Sequence, residues 1–260
     1  MITLQETPAD QHLVEMHLNK EAWDRKPLLK AVYGHLYLLI GQQLSRVDGS
    51  TVELGSGIGA IKNYIPWCVT TDIFPNPWID RRENAYALDF RDGTVSNLIL
   101  FDVFHHLKYP GTALKEFKRV LAPGGRVLLM EPGMGLLGRV IYTLFHHEPL
   151  GLSRPISWLA PRGFDPERAG YYAAQGNASR VFVKREFSGE LAAWRLIRVH
   201  AFADFAYVAS GGFSKPQLYP SAFLPVIRRV ENLFLRWPSL AATRLLVVLE
   251  KPLNEGKDGN

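Results

Sequence analysis

Glu53 stands two residues ahead of a run of alternating glycines, Gly55-Ser56-Gly57-Ile58-Gly59, and that spacing limits what can bind there. Thr51–Leu54 reads as a short buried strand entering the glycine turn, with a helix opening at about Ala60. Alternating glycines let the backbone turn sharply and let a ligand approach bare N–H groups. A carboxylate at the strand's end would repel a phosphate and attract an ammonium in a partly dry cleft. Asp72 follows 19 residues later, one strand–helix–strand unit on, where an acid can accept hydrogen bonds from both hydroxyls of a ribose. His105-His106 closes a second apolar run, and His146-His147-Glu148 forms a further imidazole pair with an acid. Imidazoles at such a lip can act as bases near neutral pH. A metal site built from the two pairs is conceivable, but adjacent residues on a helix point about 100° apart, so none is expected.

Gly55-x-Gly57-x-x-Ala60 also fits the relaxed fingerprint of nicotinamide-dependent oxidoreductases, and Glu53 argues against that reading. Glu53-x-Gly55-x-Gly57-x-Gly59 resembles instead the first motif of class I S-adenosylmethionine-dependent methyltransferases. Phe101-Asp102-Val103-Phe104-His105-His106-Leu107 and Leu121-Ala122-Pro123-Gly124-Gly125 extend the resemblance over residues 50–132. It narrows there to the small-molecule methyltransferases of the ubiquinone and menaquinone biosynthesis type. The resemblance implies S-adenosylmethionine as cofactor. Glu53, Gly55, Ser56, Gly57 and Gly59 would orient its methionyl end, Asp72 with Ile73 its ribose, and Asp89 with Phe90 its adenine. Phe101 and Asp102 would lie beside the sulfonium. His105 or His106 would act on the acceptor, with His146 and His147 in contact with it.

These residues need a parallel sheet to position them. Asn97–Phe101 is a continuous apolar run, as a central parallel strand should be, and Arg126–Pro132 reads as the fifth strand. Ala85–Phe90 reads as a short third strand, Pro110–Leu121 as a sheet-covering helix, Trp194–His200 as a sixth strand and Leu245–Glu250 as a last one. Gln11–Lys20, capped by Asp10, and Pro27–Leu44 read as N-terminal helices, and Gly138–His147 as another; His12, His17, Tyr33 and His35 are candidates to face the pocket. The expected fold is α/β, a Rossmann-like, doubly wound sheet of seven strands in a single domain. Residues 1–48 form N-terminal helices, 49–132 the cofactor-binding core, 133–240 an embedded lid with the sixth strand, and 241–252 the last strand. The tail from Asn254 is expected to fray.

The single cysteine, Cys68, excludes an internal disulfide framework and sits where a buried, inert thiol is expected. No basic start followed by an apolar run opens the chain, and no apolar stretch is long enough to span a bilayer, so a cytoplasmic protein is expected. Residues 139–251 carry 15 basic against 8 acidic residues, whereas residues 1–138 carry 14 against 15. This basic second half could draw nucleic acid, anionic lipid or a phosphorylated acceptor. The turn after the fourth strand lacks the (Asp/Asn)-Pro-Pro-aromatic signature of base-methylating enzymes, which disfavours nucleic acid. The stripe Phe223, Val226, Ile227, Val230, Leu233 and Phe234, flanked by Arg228, Arg229 and Arg236, reads as a core-covering helix or a membrane-surface face. A small-molecule or lipid-linked acceptor is the expectation. A module that binds the cofactor or a membrane without turnover is the alternative.

Overall fold

The computed structural model describes residues 8–253, so the tail from Asn254 lies outside the described residues. Two helices open the chain, α1 (Pro8–Arg25) and α2 (Pro27–Gly41). Asp10 falls inside the first turn of α1 and does not precede it, and α2 stops three residues short of the expected end. The strands are β1 (Ser50–Leu54), β2 (Val69–Asp72), β3 (Arg81–Arg82), β4 (Val95–Phe101), β5 (Leu121–Pro132), β6 (Arg195–Phe202) and β7 (Arg244–Glu250). They form one seven-stranded sheet in the order β3-β2-β1-β4-β5-β7-β6. The first five are parallel, and β7 is inserted antiparallel between β5 and β6. This is the Rossmann-like, seven-stranded arrangement expected from the sequence.

β4 and β7 are buried along their whole length, because helices and loops cover both faces of the sheet. One face packs α3 (Pro110–Val120) through Ala113, Leu114, Phe117 and Val120 onto Leu98, Leu100, Val127 and Leu129. The other packs α2 through Leu29, Leu36 and Ile40 against Ile99, Leu128 and Val248. Further helices are α4 (Leu136–Phe145), α5 (Phe205–Ala209), α6 (Leu224–Leu233) and α7 (Pro238–Ala241).

One strand expectation is corrected. The third strand is Arg81–Arg82, whereas Ala85–Phe90 is irregular backbone with Leu88 turned into the core. The segment after the glycine turn is a short helix as expected, a single tight turn over Ala60–Asn63 that stops ahead of Pro66.

Candidate cofactor and acceptor site

The carboxyl ends of β1, β2 and β4 meet at one edge of the sheet, and the glycine turn crosses it. Gly55, Gly57 and Gly59 all have positive φ (70°, 52° and 64°), which residues with a Cβ rarely adopt. A Cβ on Gly55 would sit 2.5 Å from Val103 Cγ2, so the turn and the loop after β4 lie against each other. Ser56 is committed to the fold. Its hydroxyl donates to the Glu53 carbonyl at 3.1 Å and accepts from Thr71 N–H at 3.0 Å, pinning β1 to β2.

Glu53 is buried, and its Oε1 accepts from the Tyr37 hydroxyl at 3.1 Å. Burial pushes its pKa up to about 8, against the opposing hydrogen bonds from Ser56 and Tyr37, and the nearby Asp72 carboxylate adds to the rise. Its Oε2 has no hydrogen-bond partner. A buried acid left one bond short at a glycine turn is suited to a hydrogen-bond donor or a cationic partner. Cys68 is buried nearby, and burial pushes its thiol up, as expected of an inert side chain.

Asp72 ends β2 at the same edge. Its carboxylate accepts from Gly57 N–H at 3.0 Å and Ile73 N–H at 2.7 Å, so it also braces the glycine turn. The Ile73 side chain is partly exposed. α1 lies over this corner: His12 Nε2 is 3.6 Å from Asp72 Oδ1, and the Met16 sulfur is 3.4 Å from where a Cβ on Gly57 would lie. His17 stacks edge-on against Trp78 and His35 is exposed, so of the N-terminal candidates His12 and Tyr33 reach the interior.

Asp89 does not reach the cleft. Its side chain is fully exposed and pairs with Arg81 at 3.2 Å, and Phe90 lies beneath the same guanidinium. Because β3 ends at Arg82, the residues at its carboxyl end are Glu83 and Asn84, both buried. Asn84 Nδ2 donates to the Pro166 carbonyl at 2.9 Å, which brings the 149–190 segment over this corner. The alternation of Ala85–Phe90 hid this position in the sequence.

Phe101 ends β4 and stacks on Tyr33 at 5.1 Å. Asp102 follows with φ 56°, a left-handed conformation rare outside glycine. Arg244, buried at the start of β7, grips both its carboxylate oxygens, and its guanidinium lies 3.7 Å from the Tyr207 ring centroid. No local motif in the sequence marked Arg244.

Beyond Asp102 the chain turns through Phe104–His106. Glu131, at the end of β5 and buried, accepts from the N–H groups of Val103 and Phe104 at 2.9 and 2.7 Å, and from that of His105 at 3.3 Å. It also receives His105 Nδ1 at 2.7 Å. Burial opposes charge on His105, but the Glu131 and Glu148 carboxylates outweigh it and push its pKa up to about 10. His105 is therefore clamped between two carboxylates, which together hold a proton or another cation at this ring. His106 is half-buried; burial and the neighbouring His105 charge lower its pKa, and its Nδ1 bonds the Tyr172 carbonyl at 2.9 Å. His146 bonds Gln175 at 3.1 Å, while His147 stacks on His146 at the exposed end of α4.

A parallel sheet edge with a glycine turn, an under-bonded buried acid and an acid at the end of the second strand is the arrangement that the sequence resemblance implies. Residues 52–129 match the family described as a methyltransferase domain. That segment runs from β1 into β5 and includes the glycine turn and Asp72, and the cofactor it takes is S-adenosylmethionine. The fold resembles the methyltransferase solved in complex with the Trm112 methyltransferase activator of Haloferax volcanii: TM-score 0.51, 15% identity, 96% of this chain and 100% of that one. It also resembles a SAM-dependent methyltransferase from Thermotoga maritima, with TM-score 0.50, 14% identity, and 92% and 99% of the two chains covered. A third, from Archaeoglobus fulgidus, has TM-score 0.50 at 11% identity over 85% and 94% of the chains. Among curated proteins, none matches the chain in sequence.

Proposed function

We propose that the protein methylates an acceptor carrying a lipid or comparable apolar group, met at a membrane surface. One observation carries this reading. α4 exposes Leu136, Val140 and Leu144 at four-residue spacing, ending in Phe145, and α6 exposes Val226, Val230 and Leu233. Leu235, Trp237 and Leu240 continue the apolar surface through α7, which packs against α4. α6 is apolar on both sides, since its Leu224 and Ile227 pack on Leu28, Val32 and Ala206. An outward apolar face with Arg139, Arg229 and Arg236 around it suits an interface with anionic lipid. Among the described residues no helix is long and apolar enough to cross a membrane.

In this reading Glu53 and the glycine turn hold the methionyl end of the cofactor, and Asp72 holds its ribose. Asn84 replaces Asp89 as the residue at the adenine corner. S-adenosylmethionine supplies an electrophilic methyl on a sulfonium. The protein's part is to align acceptor and methyl and to exclude water, because in-line approach carries most of the rate. The 149–190 segment and α1 close the site, and the His105–His106 turn, held by Glu131, borders the acceptor side with His146. His147 takes a surface position.

Flotation with phosphatidylglycerol vesicles tests the reading. Wild-type protein should float, floating should fade with salt, and Leu144→Glu with Leu233→Glu should abolish it while the protein stays folded. Equal recovery of wild type and double variant in the lipid fraction would sink the membrane part of the proposal.

A further inference from the structure

Two imidazole nitrogens and a carboxylate converge beside the loop that follows β4. His105 Nε2 lies 3.4 Å from Glu148 Oε2, and His106 Nε2 lies 3.7 Å from Glu148 Oε1. All three ligand atoms lie within 4.8 Å of one another. The expectation that neighbouring histidines diverge fails here, because the tight Phe104–His106 turn brings the two rings to 4.2 Å between centroids.

The far side of each ring is already committed. His105 Nδ1 meets the Glu131 carboxylate at 2.7 Å, and His106 Nδ1 meets the Tyr172 carbonyl at 2.9 Å. A carbonyl only accepts, so His106 carries its proton on Nδ1 and presents a bare lone pair on Nε2 toward Glu148. Two acceptors thus face each other at 3.7 Å, an arrangement that a shared cation would stabilise. Carboxylate or carbonyl bonds on Nδ1, with Nε2 left free, are the orienting pattern of metal-bound histidines.

We propose that His105 Nε2, His106 Nε2 and the Glu148 carboxylate bind a divalent transition-metal ion of the zinc type. Tetrahedral ligands on such an ion stand about 3.3 Å apart, so two of the spacings need to contract by only a few tenths of an ångström. Two imidazoles with one carboxylate favour zinc-like ions over magnesium or calcium, which prefer all-oxygen sets. Three protein ligands leave a position open for an oxygen of water or acceptor, and half-exposed His106 forms the solvent side of the site. Glu148 is further oriented by the Tyr171 hydroxyl and by Gln175 Nε2, each at 2.5 Å. Metal binding is read without turnover, so the inference stands apart from the proposed acceptor.

The test is cobalt(II) and zinc(II) titration of chelator-treated full-length protein. Cobalt should give d–d absorption that saturates at one equivalent per chain and is displaced by zinc. His106→Ala and Glu148→Gln should each weaken binding at least ~100-fold, and His200→Ala, on β6, should leave it unchanged. Near-ultraviolet circular dichroism checks that each variant is folded. Absence of a one-equivalent cobalt spectrum in wild-type protein overturns the proposal without reference to any variant. A spectrum that survives both substitutions overturns it as well, and leaves the cluster as an ion-pair network around His105.

Discussion

Asp102 and Arg244, 142 residues apart in sequence, form a two-point ion pair with Nη1–Oδ1 at 2.5 Å and Nη2–Oδ2 at 2.9 Å. The pair ties the loop after β4 to the strand inserted antiparallel beside β5. It also explains how Asp102 keeps a left-handed backbone, since such a conformation persists only where its surroundings over-determine it. The inserted strand thus does more than widen the sheet: it supplies the cation that fixes the loop after β4.

Arg244→Met should therefore destabilise the protein by about 1–3 kcal/mol, because the Asp102 carboxylate it strands is partly exposed to water. Thermal unfolding would measure this. Arg244→Met with Asp102→Asn should recover part of the loss, because no charge is then left unpaired. A double variant no more stable than Arg244→Met alone would show that the guanidinium acts through its stacking on Tyr207 instead.

Glu53 gives a pH signature. Its folded pKa of about 8 lies above the ordinary carboxylate value of 4.5, so the folded chain holds a proton that the unfolded chain has lost between those limits. Its stability contribution is full below about pH 4.5 and is lost as pH rises toward 8. Glu53→Gln should flatten that slope and raise the ligand-free stability at pH 8 by roughly 2–5 kcal/mol. Denaturant titrations at pH 5 and pH 8 compare the two slopes; equal slopes would place Glu53 in its ordinary range.

The same acid should lose its proton when a cation binds beside it. Binding of S-adenosylhomocysteine, which retains the α-ammonium, should release protons near pH 7 and tighten from pH 6 to pH 8. Calorimetry in buffers of different ionisation enthalpy reads this directly. The dependence should vanish in Glu53→Gln.

Asp72→Asn keeps an acceptor for Gly57 or Ile73 but removes the charge. The expected result is cofactor affinity weaker by about tenfold, near 1.4 kcal/mol, with a melting temperature close to wild type. Unchanged affinity would remove Asp72 from the ribose role.

α1 lies across Asp72 through His12 and across Gly57 through Met16, so ligand entry has to rearrange it. Hydrogen exchange in α1 should change on adding S-adenosylhomocysteine, while α3, packed on the sheet face, should hardly respond. Identical exchange in α1 with and without ligand would contradict this.

The central strands were legible in the sequence because β4 and β5 are buried on both faces and read as unbroken apolar runs. Glu53, the glycine turn and Asp72 were legible because each lies a fixed distance from a strand end. Asp89 was misplaced because β3 is only two residues long, too short for any periodicity, while the next loop alternates like a strand. Arg244 and Glu131 were silent because their partners lie in the loop after β4, far away in sequence, and such pairing leaves no local pattern. The histidines were visible as types, but their convergence on Glu148 depends on a tight turn and on the 171–175 segment, and spacing encodes neither.

Parallel thermal-shift measurements with S-adenosylhomocysteine, S-adenosylmethionine and NAD test the central claim most directly. A ligand at about 100 times its dissociation constant adds roughly 2.7 kcal/mol, which for a chain of this size is a rise of about 5–10 °C. The account predicts that rise with both adenosyl ligands, its loss in Glu53→Ala, and none with NAD. A rise with NAD and none with either adenosyl ligand would contradict it.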